Sequence, residues 1–163
     1  MSERPGRWRG ITEIIGTVAV VVSLVYVGFQ VKQNTAAIQT ATTQGVNEQH
    51  AATIRLILES AEFADLLVRA NRSPESLSVA DSLRYDWFLN QRINVYETVY
   101  TSAVAGTMEE GMAAGWLAGI PGWLCLAGAL EHWRENAGNY HPAFQVAMDS
   151  VIASTDCSVQ RAQ

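Results

Sequence analysis

The stretch Ile14–Val31, IIGTVAVVVSLVYVGFQV, decides how the rest of the chain is read. It is 18 residues without a charge, and 13 of them are apolar. Only Thr17, Ser23 and Gln30 interrupt it with polar side chains. Extended back to Gly10 it reaches 22 residues, about 33 Å as an α-helix. A bilayer core is ~30 Å thick, so such a helix crosses it with slight tilt. Trp8 and Tyr26 stand near its two ends, where amphipathic aromatics anchor a span in the interfaces. The valines favour strand, but the run is too long for a strand, and a surface helix would carry a charge every turn.

A cleaved signal peptide is the competing reading. Its apolar region would exceed the usual ~7–15 residues, and no Ala-x-Ala site follows in residues 32–45. The uncleaved anchor is the expectation. Arg4, Arg7 and Arg9 precede the span and only Lys32 follows closely. The positive-inside rule then places the N-terminus in the cytoplasm and the remainder outside.

Charge divides the chain at the same point. Residues 1–32 hold four basic and two acidic side chains, and the rest hold seven and 14. A net charge of -5 over 163 residues argues against a nucleic-acid binder. At 48% hydrophobic the chain is not intrinsically disordered. Two cysteines exclude a disulfide-dense scaffold. Cys125 and Cys157 pair if the domain is extracytoplasmic and are free thiols if it is cytosolic.

The segment Glu13-Ile-Ile-Gly16-Thr-Val-Ala19-Val-Val-Val-Ser23-Leu-Val-Tyr26-Val-Gly-Phe-Gln30-Val-Lys-Gln-Asn34-Thr35 resembles the N-terminus of an uncharacterised family of small bacterial membrane proteins. Their shared pattern is E-x-x-G-x-x-A-V-x-x-S-L-x-Y followed by Q-x-x-x-N-T. The resemblance covers residues 11–35 and is traceable through Glu97–Gly106 and Trp133–Phe144. It implies a bacterial inner-membrane anchor followed by helices, with no catalytic residues and no cofactor.

The sequence predicts an all-α fold: an N-terminal transmembrane helix that continues as a stalk, then a small helical bundle. Residues 1–9 form a basic flank, 10–31 the span, 32–59 a helical stalk, 60–154 the helical domain and 155–163 a polar tail. Val31, Ile38, Gly45 and Ala52 recur every seven residues along the stalk. Ser60 caps a helix over 61–71, and Ser78 caps one that runs to Ala105 and stops at Gly106. Thr107–Glu110 reads as a capping box. One helix is expected over 123–136 and another over 142–154.

Candidate chemistry is sparse. His50, His132 and His141 fit no metal-ligand spacing, and His132 beside Glu131 and Glu135 reads as an exposed helix face. The glycines at 106, 111, 115, 119, 122 and 128 fit no phosphate loop and read as turns or close helix contacts. Glu97 lies at the edge of an apolar helix face. It is either a structural hydrogen-bond acceptor or, with His132 and Tyr100, part of a ligand or enzyme pocket.

On a helical wheel Gly16, Ala19, Ser23, Gln30 and Asn34 fall within about 60°, with Glu13 at the edge. Small residues let helices approach closely in lipid, so this face is the expected helix–helix interface. The expected partners are the bilayer, a second copy or another membrane protein. The functional expectation is protein interaction or assembly at the membrane. A membrane-tethered pocket near Glu97 and a secreted binding protein are the alternatives.

Overall fold

A computed structural model describes residues 6–157, with side chains from Gly10 onward. The start of the basic flank, the Trp8 side chain and the end of the polar tail lie outside the described residues. Helix α1 (Gly6–Glu59) is followed by α2 (Ala61–Arg72), α3 (Val79–Val104), α4 (Glu110–Leu117), α5 (Ile120–Leu124), α6 (Ala129–Asn136) and α7 (Pro142–Ser154). Short 3-10 turns occupy Pro74–Ser76 and Ala137–Asn139, and no strand occurs among the described residues. The all-α reading holds.

The chain forms two compact units, Met1–Ile38 and Gln39–Gln163. In the first, the apolar side chains of α1 are exposed all round, from Ile14 at 66% to Phe29 at 63%. This helix is long and apolar enough to cross a membrane.

The second unit is a helical bundle built around α3. Ser78 caps it, its hydroxyl accepting from the Asp81 N–H at 3.1 Å. Tyr85, Phe88, Leu89, Ile93 and Tyr96 fall at i, i+3, i+4, i+8 and i+11, one face of the helix, and share one core with Trp133, Phe144 and Met148. Val95 and Val99 face a smaller cluster with Val46, Met108 and Ala113. Gly106, at φ 70°, ends the segment as expected. Ser60 caps α2 through the Phe63 N–H, also as expected.

Four local expectations are corrected. The inward stripe on the second half of α1 is Gln39, Val46 and Thr53, one residue out of phase with Ile38, Gly45 and Ala52. Ile38 is 43% exposed and Val46 only 1%. Residues 39–59, read as stalk, thus belong to the bundle unit. Glu109, not Thr107, caps α4, its two carboxylate oxygens accepting from the N–H groups of Gly111 and Met112. A carboxylate there satisfies two orphan donors and opposes the positive helix end. The helix expected over 123–136 is broken into α5 and α6. Gly128 sits at φ 78°, a conformation disfavoured for residues with a Cβ. His132 is buried, not exposed, with Nδ1 3.6 Å from Asp86 Oδ1.

Candidate functional site

Three helices of the bundle unit meet around a cleft of about 610 Å³. His50 enters from α1, Arg92 and Tyr96 from α3, and Trp116 from α4. Arg92 and Tyr96 are four residues apart, so they share one face of α3. The Trp116 ring meets His50 edge-on at 4.9 Å and Tyr96 at 6.5 Å. Tyr96 also stacks on Trp123 at 5.5 Å, so aromatic contacts hold it from two sides.

The opposite wall is glycine. Gly111, Gly115 and Gly119 repeat every four residues and all line the cleft. A Cβ at Gly119 would lie 3.2 Å from the Tyr96 hydroxyl oxygen, which explains a glycine at that position. A Cβ at Gly115 would meet nothing within 4 Å. The small side there does not serve contact between helices of this chain; it leaves open volume.

The electrostatics of the cleft are one-sided. None of its lining residues is acidic. Arg92 has no ion-pair partner among the described residues, and its buried Nε has no hydrogen-bond partner. An unsatisfied buried donor costs ~1–3 kcal/mol. Burial, with the Arg92 charge adding to it, pulls the His50 imidazole below its ordinary pKa. Glu109 is the neighbouring acid, and its carboxylate is occupied on the first turn of α4.

A second feature is an apolar groove of about 400 Å³ among α1, α2 and α3. Leu56, Leu83 and Trp87 line it while 54%, 58% and 66% exposed, with Phe63 and Phe88 beneath. Arg84 lines it too and pairs with Glu62 at 3.1 Å. On the same stretch of α1, Arg55 pairs with Glu59 at 3.6 Å.

The residues singled out in the sequence fall elsewhere. Glu97 accepts from the His141 backbone N–H at the start of α7, a structural tie between α3 and α7. Tyr100 packs on Phe144 at 5.6 Å, while His132 faces Asp86. In the first unit, Ser23 donates to the Ala19 carbonyl at 2.8 Å, and the Gln30 amide donates to the Tyr26 hydroxyl at 2.9 Å. Gly16 has open space around it. Glu13 accepts through its backbone carbonyl from Thr17 at 2.9 Å.

Cys125 and Cys157 form a disulfide across 32 residues of sequence. No three His, Cys, Asp or Glu side chains among the described residues are grouped to hold a metal ion. No family model, curated protein or solved structure matches the chain.

Proposed function

We propose that this chain is a single-pass protein of the bacterial inner membrane whose helical domain lies on the extracytoplasmic side and self-associates there. The observation that carries the reading is the groove of Leu56, Leu83 and Trp87. Large apolar side chains that share one exposed concavity mark contact sites rather than ordinary surface. The span resembling that of small bacterial membrane proteins supports the location, and the Cys125–Cys157 bond supports the side. Disulfides persist in oxidising compartments and are rare in the cytosol.

The choice of a second copy as partner rests on symmetry and charge. Copies anchored with one orientation present the same patch at the same height. A two-fold axis along the membrane normal then sets groove against groove. Arg84 and Glu62 at the groove, and Arg55 and Glu59 on the same helix α1, offer both signs of charge for a second copy to meet. Each ion pair is exposed and worth at most ~1 kcal/mol, so partners can exchange across the axis. The face of Glu13, Gly16, Ala19, Ser23 and Gln30 adds a second contact within the bilayer. Because Ser23 and Gln30 bond within their own helix, close approach over Gly16 and Ala19 is the main contribution there.

The test is energy transfer between labelled full-length chains in liposomes. Wild type should transfer, and transfer should fall as lipid dilutes the protein. Trp87→Glu with Leu83→Glu should weaken association ~10-fold or more, as expected for a central aromatic anchor. Both positions are exposed, so helicity should survive the change. Replacing Gly16, Ala19 and Ser23 by leucine should cost less. Absence of transfer in wild type, or transfer unchanged in the double variant, contradicts the reading.

A further inference from the structure

The cleft of His50, Arg92 and Tyr96 is independent of the apolar groove, and self-association gives it no role. We infer that it is a binding site for an organic oxyanion, a phosphate or carboxylate group carried on an apolar body. Arg92 supplies the charge: its guanidinium lacks an acidic partner among the described residues, although the chain is rich in acids. Its Nε, buried and unbonded, lacks the acceptor such a group needs. A planar guanidinium with free N–H groups matches the oxygens of a phosphate or carboxylate. The Tyr96 hydroxyl has no hydrogen-bond partner among the described residues and lines the same space.

The remaining walls define the body of the ligand. Trp116 and Met112 offer apolar contact, and Gly115 leaves room for it. The volume suits a small molecule, since such sites typically span ~300–1,000 Å³. A metal cation is disfavoured, because the lining has no carboxylate to neutralise it.

Two sources can supply this chemistry: a soluble organic acid or the headgroup of an acidic phospholipid. The experiment uses the full chain in phosphatidylcholine nanodiscs, titrated with phenyl phosphate and benzoate by calorimetry. A parallel sample replaces a third of the lipid, roughly, with phosphatidylglycerol. Saturable binding of at least one soluble probe, or protection of the fold by phosphatidylglycerol, is expected. Probe binding without lipid protection assigns a soluble ligand. Lipid protection that also blocks the probes assigns the headgroup.

Arg92→Gln should weaken binding ~10-fold or more through loss of the charge-assisted bonds. Tyr96→Phe should weaken it ~3-fold. Gly115→Leu should abolish binding while leaving the unfolding midpoint nearly unchanged, because a Cβ there meets open space. This variant keeps the test sound if loss of Arg92 disturbs the fold. No saturable binding and no lipid protection would overturn the proposal. So would binding that Arg92→Gln and Gly115→Leu both leave intact.

Discussion

The two halves of α1 belong to one helix, yet it is the second that has a side chain bonding a remote part of the chain. Before residue 39 polar side chains turn back on their own helix. Thr17, Ser23 and Thr35 each donate to the carbonyl four residues earlier, at 2.8–3.0 Å. In the bundle unit such local bonds recur, as from Thr53 to the Gln49 carbonyl, but remote partners join them. Gln39 donates to the Gly106 carbonyl 67 residues away, and Tyr85 to the Ala127 carbonyl 42 residues away. Asn71 accepts from the Ala127 N–H across 56 residues. A helix in lipid has no water to satisfy its groups, so it must be self-sufficient. A folded domain gains its order from contacts that local sequence does not specify. Apolar side chains differ too: those of the first unit face outward, whereas the bundle has a core whose members face one another.

The largest effect expected from this contrast is at Trp133. It is 1% exposed, stacks on Tyr140 at 5.4 Å and donates to Asp149 at 3.1 Å. Trp133→Ala should destabilise the bundle by ~3–5 kcal/mol, from lost burial and the cavity it leaves. Val21→Ala, on the exposed face of the span, should leave the unfolding midpoint of the bundle unchanged. Thermal denaturation in detergent measures both. If the two substitutions cost the bundle the same, the two units do not differ as described.

A smaller effect separates the two registers of α1. Val46→Ala should cost about 2 kcal/mol, because two methyl groups leave a site closed by Val95, Val99 and Met108. Ile38→Ala should change stability by no more than ~0.5 kcal/mol, as befits an exposed position. The reverse order would restore the stripe of Val31, Ile38, Gly45 and Ala52. Denaturant titration resolves a difference of this size.

That register also shows what could be read in advance. The long apolar helix was legible because a single property, 18 residues without a charge, is enough to define it. The caps at Ser60 and Ser78 and the stop at Gly106 were legible because capping is local chemistry. The inward stripe of α1 was not, because two of its three members are polar. The Thr53 hydroxyl bonds the Gln49 carbonyl at 3.1 Å and so can be buried, which hydropathy does not register. Glu109 was passed over because its neighbour Thr107 makes the more familiar capping pattern. Thr107 in fact donates to the Ser102 carbonyl at 3.2 Å. The cleft was invisible because His50, Arg92 and Gly115 come from three helices, and no spacing links them. A hint existed in the repeat of Gly111, Gly115 and Gly119, which the sequence suggested was turn or packing.

The smallest and most selective effect concerns two buried tyrosines. Tyr85 and Tyr140 are 5% and 6% exposed, and burial raises both phenols to about 12. The Asp86 charge adds to the shift at Tyr85 and the Glu97 charge at Tyr140. Yet Tyr85 donates to the Ala127 carbonyl at 2.7 Å, whereas the buried Tyr140 hydroxyl has no hydrogen-bond partner among the described residues. Tyr85→Phe should therefore cost about 1 kcal/mol, the net worth of one hydrogen bond. Tyr140→Phe should be neutral or slightly stabilising, since it removes a buried group that lacks its bond. The pH dependence follows from the direction of the shifts. Each folded-state pKa lies above the ordinary 10.0. The folded chain thus holds its phenol protons where the unfolded chain has released them. Their contribution is fully present below pH 10 and is lost as pH rises towards 12. Either replacement should flatten the alkaline loss of stability, while only Tyr85→Phe should lower stability at neutral pH. Equal neutral-pH costs for the two would mean that the Tyr85 bond across 42 residues adds nothing to the bundle.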